Sequence, residues 1–154
     1  MEIDKRIENL KTELTKAISS QLLTFEQTKK ISECGIYMIY SNGNLIYIGK
    51  TNRNGKIRLR ELGADYRSHT LNRKLLRELI CETLKTDLPP LRKDSKQKLI
   101  SNGILSEETF IELQKRVNEK IKNEFLFRFH VTKQEEVIEL EHFAIAVCKP
   151  KMND

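Results

Sequence analysis

Cys34-Gly35-Ile36-Tyr37-Met38-Ile39-Tyr40-Ser41-Asn42-Gly43-Asn44-Leu45-Ile46-Tyr47-Ile48-Gly49-Lys50 is the stretch on which the fold turns. Residues 34–40 and 45–50 are rich in Ile and Tyr, which suit a pleated, half-buried surface. Between them, Ser41-Asn42-Gly43-Asn44 supplies residues that accept a left-handed backbone, so the stretch predicts a β-hairpin. Side chains alternate along a strand, and the loop length therefore sets which residues share a face. A two-residue turn at Asn42-Gly43 would put Tyr37 opposite Ile48 and send Tyr47 to the other face. A three-residue loop, Ser41-Asn42-Gly43 with Gly43 left-handed, would put Tyr37 opposite Tyr47. The second arrangement is the expected one.

Outward from the hairpin the periodicity changes. Upstream, Ile3, Ile7, Leu10, Leu14 and Ile18 mark one face of a helix. Downstream, a basic helical region from about Ser68 to Lys85 is broken by Pro89-Pro90. Ser106, ahead of Glu107-Glu108, caps a helix carrying Phe110, Leu113, Val117 and Ile121. Phe125, Phe127, Phe129 and Val131 alternate with Glu124, Leu126, Arg128 and His130 as in a strand, and a last helix from about Gln134 to Cys148 stops before Pro150. The order predicts an α+β fold, a small three-stranded antiparallel sheet flanked by helices, with an N-terminal helix and a helical insertion. A length of 154 residues fits one domain, two at most.

Composition narrows the class. Apolar residues make up 38% and charged residues 32%, so the core is modest and the surface heavily charged compared with an ordinary globular chain. No apolar run is long enough for a transmembrane helix, and Met1-Glu2-Ile3-Asp4-Lys5-Arg6 does not open a secretory signal, so a soluble cytoplasmic protein is expected. Cys34, Cys81 and Cys148 stand far apart with no CxxC pair, which argues against a disulfide framework or a cysteine zinc site. His69, His130 and His142 show no metal-binding spacing either. The net charge of +6 is uneven: residues 50–98 hold 14 Lys and Arg against six acids, a local +8, while the remainder nets −2. A basic middle of this kind fits a polyanion, or a solvated helix surface. Tyr66 is its one aromatic, which leaves no stacking ladder for single strands and favours a duplex backbone as partner.

Gly35-Ile36-Tyr37 and Tyr47-Ile48-Gly49, ten residues apart from tyrosine to tyrosine, resemble the signature of the GIY-YIG endonuclease family. Lys50 and Thr51 follow the second tripeptide as is common there; Arg58, followed by Leu59, stands near the family arginine; Glu141, Pro150 and Asn153 resemble the metal-ligand glutamate and the terminal Pro-x-x-Asn. The resemblance runs from residue 35 to 153 with a poorly matched stretch at 86–123. It implies a single nuclease domain over 1–154, with residues 1–30 as a helical extension and 86–123 as an insertion. Leu62 occupies the position four residues past the arginine where the family carries His or Tyr. Tyr66 and His69 are the candidates to fill that role from a shifted backbone, and Arg60 is the rival for the arginine itself.

Glu141 can also be read without the family. At 100° per residue from Val137, it falls about 40° from the centre of the apolar stripe of the last helix, whereas Glu139 and His142 point away. A carboxylate on a buried face needs a cation or a donor to meet it. Magnesium would serve, and so would an ion pair with an arginine.

The resemblance implies hydrolysis of a phosphodiester bond in duplex or branched DNA with one divalent metal, Mg²⁺ or Mn²⁺, held by Glu141. It implies Tyr37 as general base or as orienter of water, Tyr47 as a hydrogen-bonding partner in the same site, and Arg58 as the cation offsetting charge on the phosphate. Asn153 would fix local hydrogen bonds. An unperturbed tyrosine needs positive charge nearby to act as a base near neutral pH, and Lys50 is the cation close in sequence. Arg60, Arg67, Arg73, Lys74 and Arg77 are the candidate DNA contacts, with Lys93, Lys96, Lys98, Lys115, Arg116, Lys120 and Lys122 further along. Phosphate contacts position DNA but do not read its sequence. Two other classes fit the same charge pattern: an inactive DNA-binding module of the same fold, and a basic protein that docks an acidic partner. The stripe of the first helix is available for packing on the domain or for a homodimer.

Overall fold

A computed structural model describes residues 2–153. The chain is α+β, with six α-helices and a four-stranded antiparallel sheet among the described residues. The elements in order are α1 (Ile3–Ser19), β1 (Leu23–Thr24), a 3-10 turn (Gln27–Lys30), β2 (Gly35–Ser41), β3 (Asn44–Thr51), α2 (Gly55–Leu62), α3 (Thr70–Leu84), α4 (Ser95–Ser101), α5 (Glu107–Glu124), β4 (Leu126–Val131) and α6 (Val137–Cys148). They gather into two compact units, one of residues 2–59 with 125–153 and one of residues 60–124. The second unit thus begins upstream of the 86–123 stretch that the sequence sets apart. No described helix is long and apolar enough to cross a membrane.

In the first unit the strands lie in the order β1-β4-β2-β3, which puts the Gly35–Ser41 strand at the centre. The sheet has one strand more than the sequence predicts. β1 is only two residues, Leu23 and Thr24 pairing with Phe127 and Leu126, too short to leave an alternating pattern. Ile36, Met38 and Ile48 turn to one face and form a core with Leu14 and Ala17 of α1 and Val137, Leu140 and Ala144 of α6. α1 uses only its second half for this. Ile3 is 62% exposed and Ile7 and Ile18 are also exposed, so the stripe that packs runs through Leu10, Leu14 and Ala17 rather than the five residues spaced along the whole helix.

The hairpin corrects the expected register. The turn is the two-residue one, with Asn42 at φ 52° and Gly43 at φ 79°, the pair of left-handed residues that matches the twist of the strands. Ser41 pairs with Asn44 and Tyr40 with Leu45, but next Ile39 pairs with Tyr47 and Tyr37 with Gly49. Ile46 is the extra residue of a β-bulge, and a bulge shifts the face of everything beyond it. Tyr37 and Tyr47 therefore share a face after all, as diagonal rather than direct neighbours.

The second unit is helical, with α3 packed on α5. α5 starts as the sequence predicts: the Thr109 N–H donates to Ser106 Oγ at 3.1 Å. α3 starts at Thr70, two residues after the expected Ser68, with His69 as its cap: the Leu71 N–H donates to His69 Nδ1 at 3.0 Å. Asn72, fully buried on α3, is met by two amides of α5. Its Nδ2 donates to Leu62 O at 2.7 Å and to Asn118 Oδ1 at 2.9 Å, and Gln114 Nε2 donates to Asn72 Oδ1 at 2.9 Å. Asn118 Nδ2 donates to Ala64 O at 2.9 Å, and the Tyr66 N–H donates to Gln114 Oε1 at 3.0 Å. Three side-chain amides thus hold the 62–66 turn against two helices with their polar capacity largely used inside the network.

Candidate functional site

The site is built on the outer half of the sheet, where β2 meets β3. Tyr37 projects from β2 and Tyr47 from β3, with ring centroids 6.4 Å apart and planes inclined by 31°. Tyr37 is 1% exposed, while Tyr47 is half-buried and is the more accessible of the two phenols. The Tyr37 ring lies across Gly49, its strand partner; a Cβ there would fall within the space of the ring carbon Cζ and the hydroxyl. That close approach is a physical reason for glycine after Tyr47-Ile48, since any side chain would displace the phenol.

α2 brings the arginine. Asn54 caps it, with the Ile57 N–H 3.3 Å from Asn54 Oδ1, and the Gly55 and Lys56 N–H groups donate to Glu33 O and Ile31 O, each at 2.9 Å. Gly55 sits where a side chain would run into Ile31 and into the ring of Phe129, itself the β4 partner of Tyr37. One turn further, half-buried Arg58 hydrogen-bonds Tyr37. Burial, and then Tyr47, push the Tyr37 phenol far above its ordinary pKa, against the opposing pull of Arg58. Tyr37 is therefore a neutral phenol across the physiological range, suited to donate and accept hydrogen bonds rather than to sit as a phenolate. The cation acting on it is Arg58, where the sequence singles out Lys50.

Lys50 instead acts on Glu141. It alternates to the face of Ile36 and Ile48, which α6 covers. Glu141, half-buried on α6, has its carboxyl pKa raised by burial, with Lys50, then His142 and Arg58 pulling it back down. Position in the helix thus places this acid as the periodicity predicts, partly inside the apolar stripe, and its charge is under-compensated. Tyr37 in turn feels the Glu141 charge. Tyr37, Tyr47, Arg58, Lys50 and Glu141 form one electrostatic neighbourhood within the first unit.

Asn153 locks the strand that carries half of it. Its Nδ2 donates to Ile48 O and its Oδ1 accepts from the Ile48 N–H, each at 2.9 Å, while the Met152 N–H donates to Ile46 O at 2.8 Å. The Asn153 amide acts as a peptide surrogate on the outer edge of β3, and fixes the backbone between Tyr47 and Gly49. Met152 seats the bulge residue, a contact with no sequence signal.

The remaining candidates lie in the second unit. His69 is buried and caps α3 through Nδ1. The Tyr66 hydroxyl is engaged at both ends, donating to Lys93 O at 2.8 Å and accepting from the Lys96 N–H at 3.2 Å. Arg60 is exposed in the last turn of α2. Arg67 lies over the Tyr66 ring at 5.4 Å and 3.5 Å from Asp65. Arg77 is tied into the chain, its Nε donating to Leu88 O at 2.7 Å and its guanidinium pairing with Asp87 at 3.0 Å. Arg73 and Lys74 are half-buried on α3.

Among the described residues no three His, Cys, Asp or Glu side chains converge as a ready-made cage. Glu141 alone offers a carboxylate whose burial leaves it short of positive charge. That suits a hard divalent cation such as Mg²⁺, which takes one or two carboxylates and completes its shell with water and phosphate oxygens. No family model matches the chain, and no curated protein sequence matches it.

Proposed function

We propose that the chain is a metal-dependent DNA endonuclease of the GIY-YIG type, hydrolysing a phosphodiester bond in duplex or branched DNA. The observation that carries the reading is the gathering of Tyr37, Tyr47, Arg58, Lys50 and Glu141 around one corner of the sheet, from four separate elements. Cross-strand aromatic packing alone needs neither the arginine nor the buried carboxylate.

Glu141 would hold the metal, which supplies Lewis-acid stabilisation of the phosphate and of the leaving oxygen. The chain's own groups do the rest. Arg58 presents fixed positive charge beside the tyrosines and offsets charge that accumulates on the phosphate, a contribution typically of about 3 kcal/mol for one well-placed donor. Tyr37, kept neutral beside Arg58, orients the attacking water by hydrogen bonding; as the new P–O bond forms and the bond to the leaving oxygen breaks, the water's proton goes to solvent and the leaving oxygen takes one from solvent. Tyr47, half-open to solvent, is the hydroxyl that meets substrate first. Lys50 tempers the Glu141 charge, and Asn153 keeps the Tyr47–Gly49 backbone in register.

The test is cleavage of supercoiled plasmid and of a branched DNA with Mg²⁺ or with EDTA, beside Glu141→Ala. Metal-dependent cutting that falls at least ~100-fold in the variant, with DNA binding kept, is expected. Full activity in Glu141→Ala would assign the metal to another acid. The deep burial of Tyr37 favours one second reading, a DNA-binding module that has kept the fold without the chemistry. It predicts salt-sensitive binding with no cutting under any metal.

A further inference from the structure

The second unit carries a cleft of about 320 Å³ whose lining includes Tyr66, Arg67, Lys93, Asp94, Lys96 and Glu107. We propose that this cleft is a preorganised seat for the phosphate backbone of duplex nucleic acid, separate from the tyrosine–glutamate site. The proposal rests on the DNA reading above and adds the place where the second unit grips its substrate.

Several observations converge on it. The floor is rigid. Tyr66 is buried and packs edge-on against Phe110 at 5.5 Å, and its hydroxyl clamps the backbone at both Lys93 and Lys96. The turn between those lysines is fastened again by the Arg92 N–H, which donates to Ser95 Oγ at 2.6 Å. Two cations are aimed by aromatic contacts, and one of them, Arg67, is also shared with Asp65 at 3.5 Å. Arg67 lies over Tyr66, and Lys96 lies over Phe110 at 5.7 Å, arrangements that leave positive charge available to an anion. Among the described residues, Lys93 and Lys96 make no ion pair with a carboxylate. Of the two acids lining the cleft, Asp94 pairs with Lys98 at 3.1 Å, and Glu107 stands in the first turn of α5. A surface held this firmly loses little conformational freedom on binding. Its cations would each neutralise one phosphate and release counterions, which gives the proposal a quantitative signature. Lysine contacts to phosphate position a duplex without reading its sequence.

The measurement is duplex binding by fluorescence anisotropy in EDTA, across a salt series, for wild type, Lys93→Gln/Lys96→Gln and a control pair, Lys5→Gln/Lys11→Gln. The control removes the same charge from exposed positions of α1. With the seat in place, the cleft pair lowers the slope of log affinity against log salt by about 2 and weakens binding about ten-fold, alike on unrelated sequences. The control pair changes both much less. Lys93→Arg/Lys96→Arg retains the wild-type slope, which separates charge from folding, and thermal melts of all variants check that the unit is intact. Equal effects in the two Gln pairs would mean diffuse charge and overturn the seat. Wild-type binding with an unchanged cleft pair would overturn it as well, leaving the DNA reading standing. A wild type that does not bind duplex at low salt would overturn the DNA reading and the seat together.

Discussion

Two buried polar clusters in this chain make opposite use of burial. In the second unit, Asn72, Gln114 and Asn118 bring neutral amides together and satisfy one another and the 62–66 backbone. In the first, Tyr37 and Glu141 are pushed away from their charged forms by burial, and Arg58 and Lys50 pull back without closing the gap. A network that balances internally holds a turn in place. One that is left out of balance is held ready for something to complete it, and this difference separates a structural cluster from a candidate site more sharply than polarity or burial alone.

The largest effect that would test this contrast is at Gly49. Gly49→Ala places a methyl where the Tyr37 ring now lies, and the phenol must leave its contact with Arg58. DNA cleavage is expected to fall about 100-fold or more, with a loss of about 1–3 kcal/mol in denaturant stability from overpacking. Unchanged cleavage would show that Tyr37 need not hold this position.

Next comes the balanced cluster. Asn72→Ala leaves Gln114, Asn118 and the Leu62 carbonyl short of partners, and a loss of about 2–3 kcal/mol is expected in urea melts, with catalytic constants little changed at temperatures where the variant is folded. A loss of activity without a loss of stability would move this network from scaffold to function.

The smallest effect has the most informative sign. The pKa of Glu141 is raised in the folded chain, so the folded state favours the protonated carboxyl; that contribution to stability is complete below the unfolded value, near 4.5, and is lost as pH rises through the folded one. Glu141→Gln, neutral at every pH, should therefore melt slightly above wild type at pH 7 in EDTA, and the gain should vanish by about pH 4. Added Mg²⁺ should raise the wild-type melting temperature and leave that of the Gln variant unmoved. A Gln variant less stable than wild type at pH 7 would place Glu141 in a satisfied ion pair, on the side of the amide cluster.

The legibility of the chain in its sequence follows the same division. Long elements with a clean period were readable: the hairpin strands, the helix capped by Ser106, the phenylalanine strand and the last helix with Glu141 on its inner face. What escaped was short or was settled by distant contacts. β1 is too brief to show alternation, and α2 and α4 are seven- or eight-residue helices with little apolar periodicity. Asn54 ahead of Gly55 was the one cap signal for α2. The bulge at Ile46 has no local marker. It is seated by Met152, more than a hundred residues away, so the loop length alone could not give the tyrosine register. Nothing in the sequence marks Asn72 as the centre of a network, because its partners lie on α5. The candidate site was legible only as residue types at a spacing, since a spacing carries no burial and the imbalance of charge is a property of burial.

The Asn153 clamp has a consequence for colloidal behaviour. An outer strand offers a row of vacant peptide groups on which another chain can grow, and in this sheet β3 is the long outer strand. Met152 and Asn153 occupy the inner stretch of that row, at Ile46 and Ile48, with contacts that are half side chain and so cannot be propagated as a strand. On the opposite border β1 covers only Leu126 and Phe127 of β4. The residue that fixes the tyrosine strand thus also removes vacant peptide groups from its outer edge.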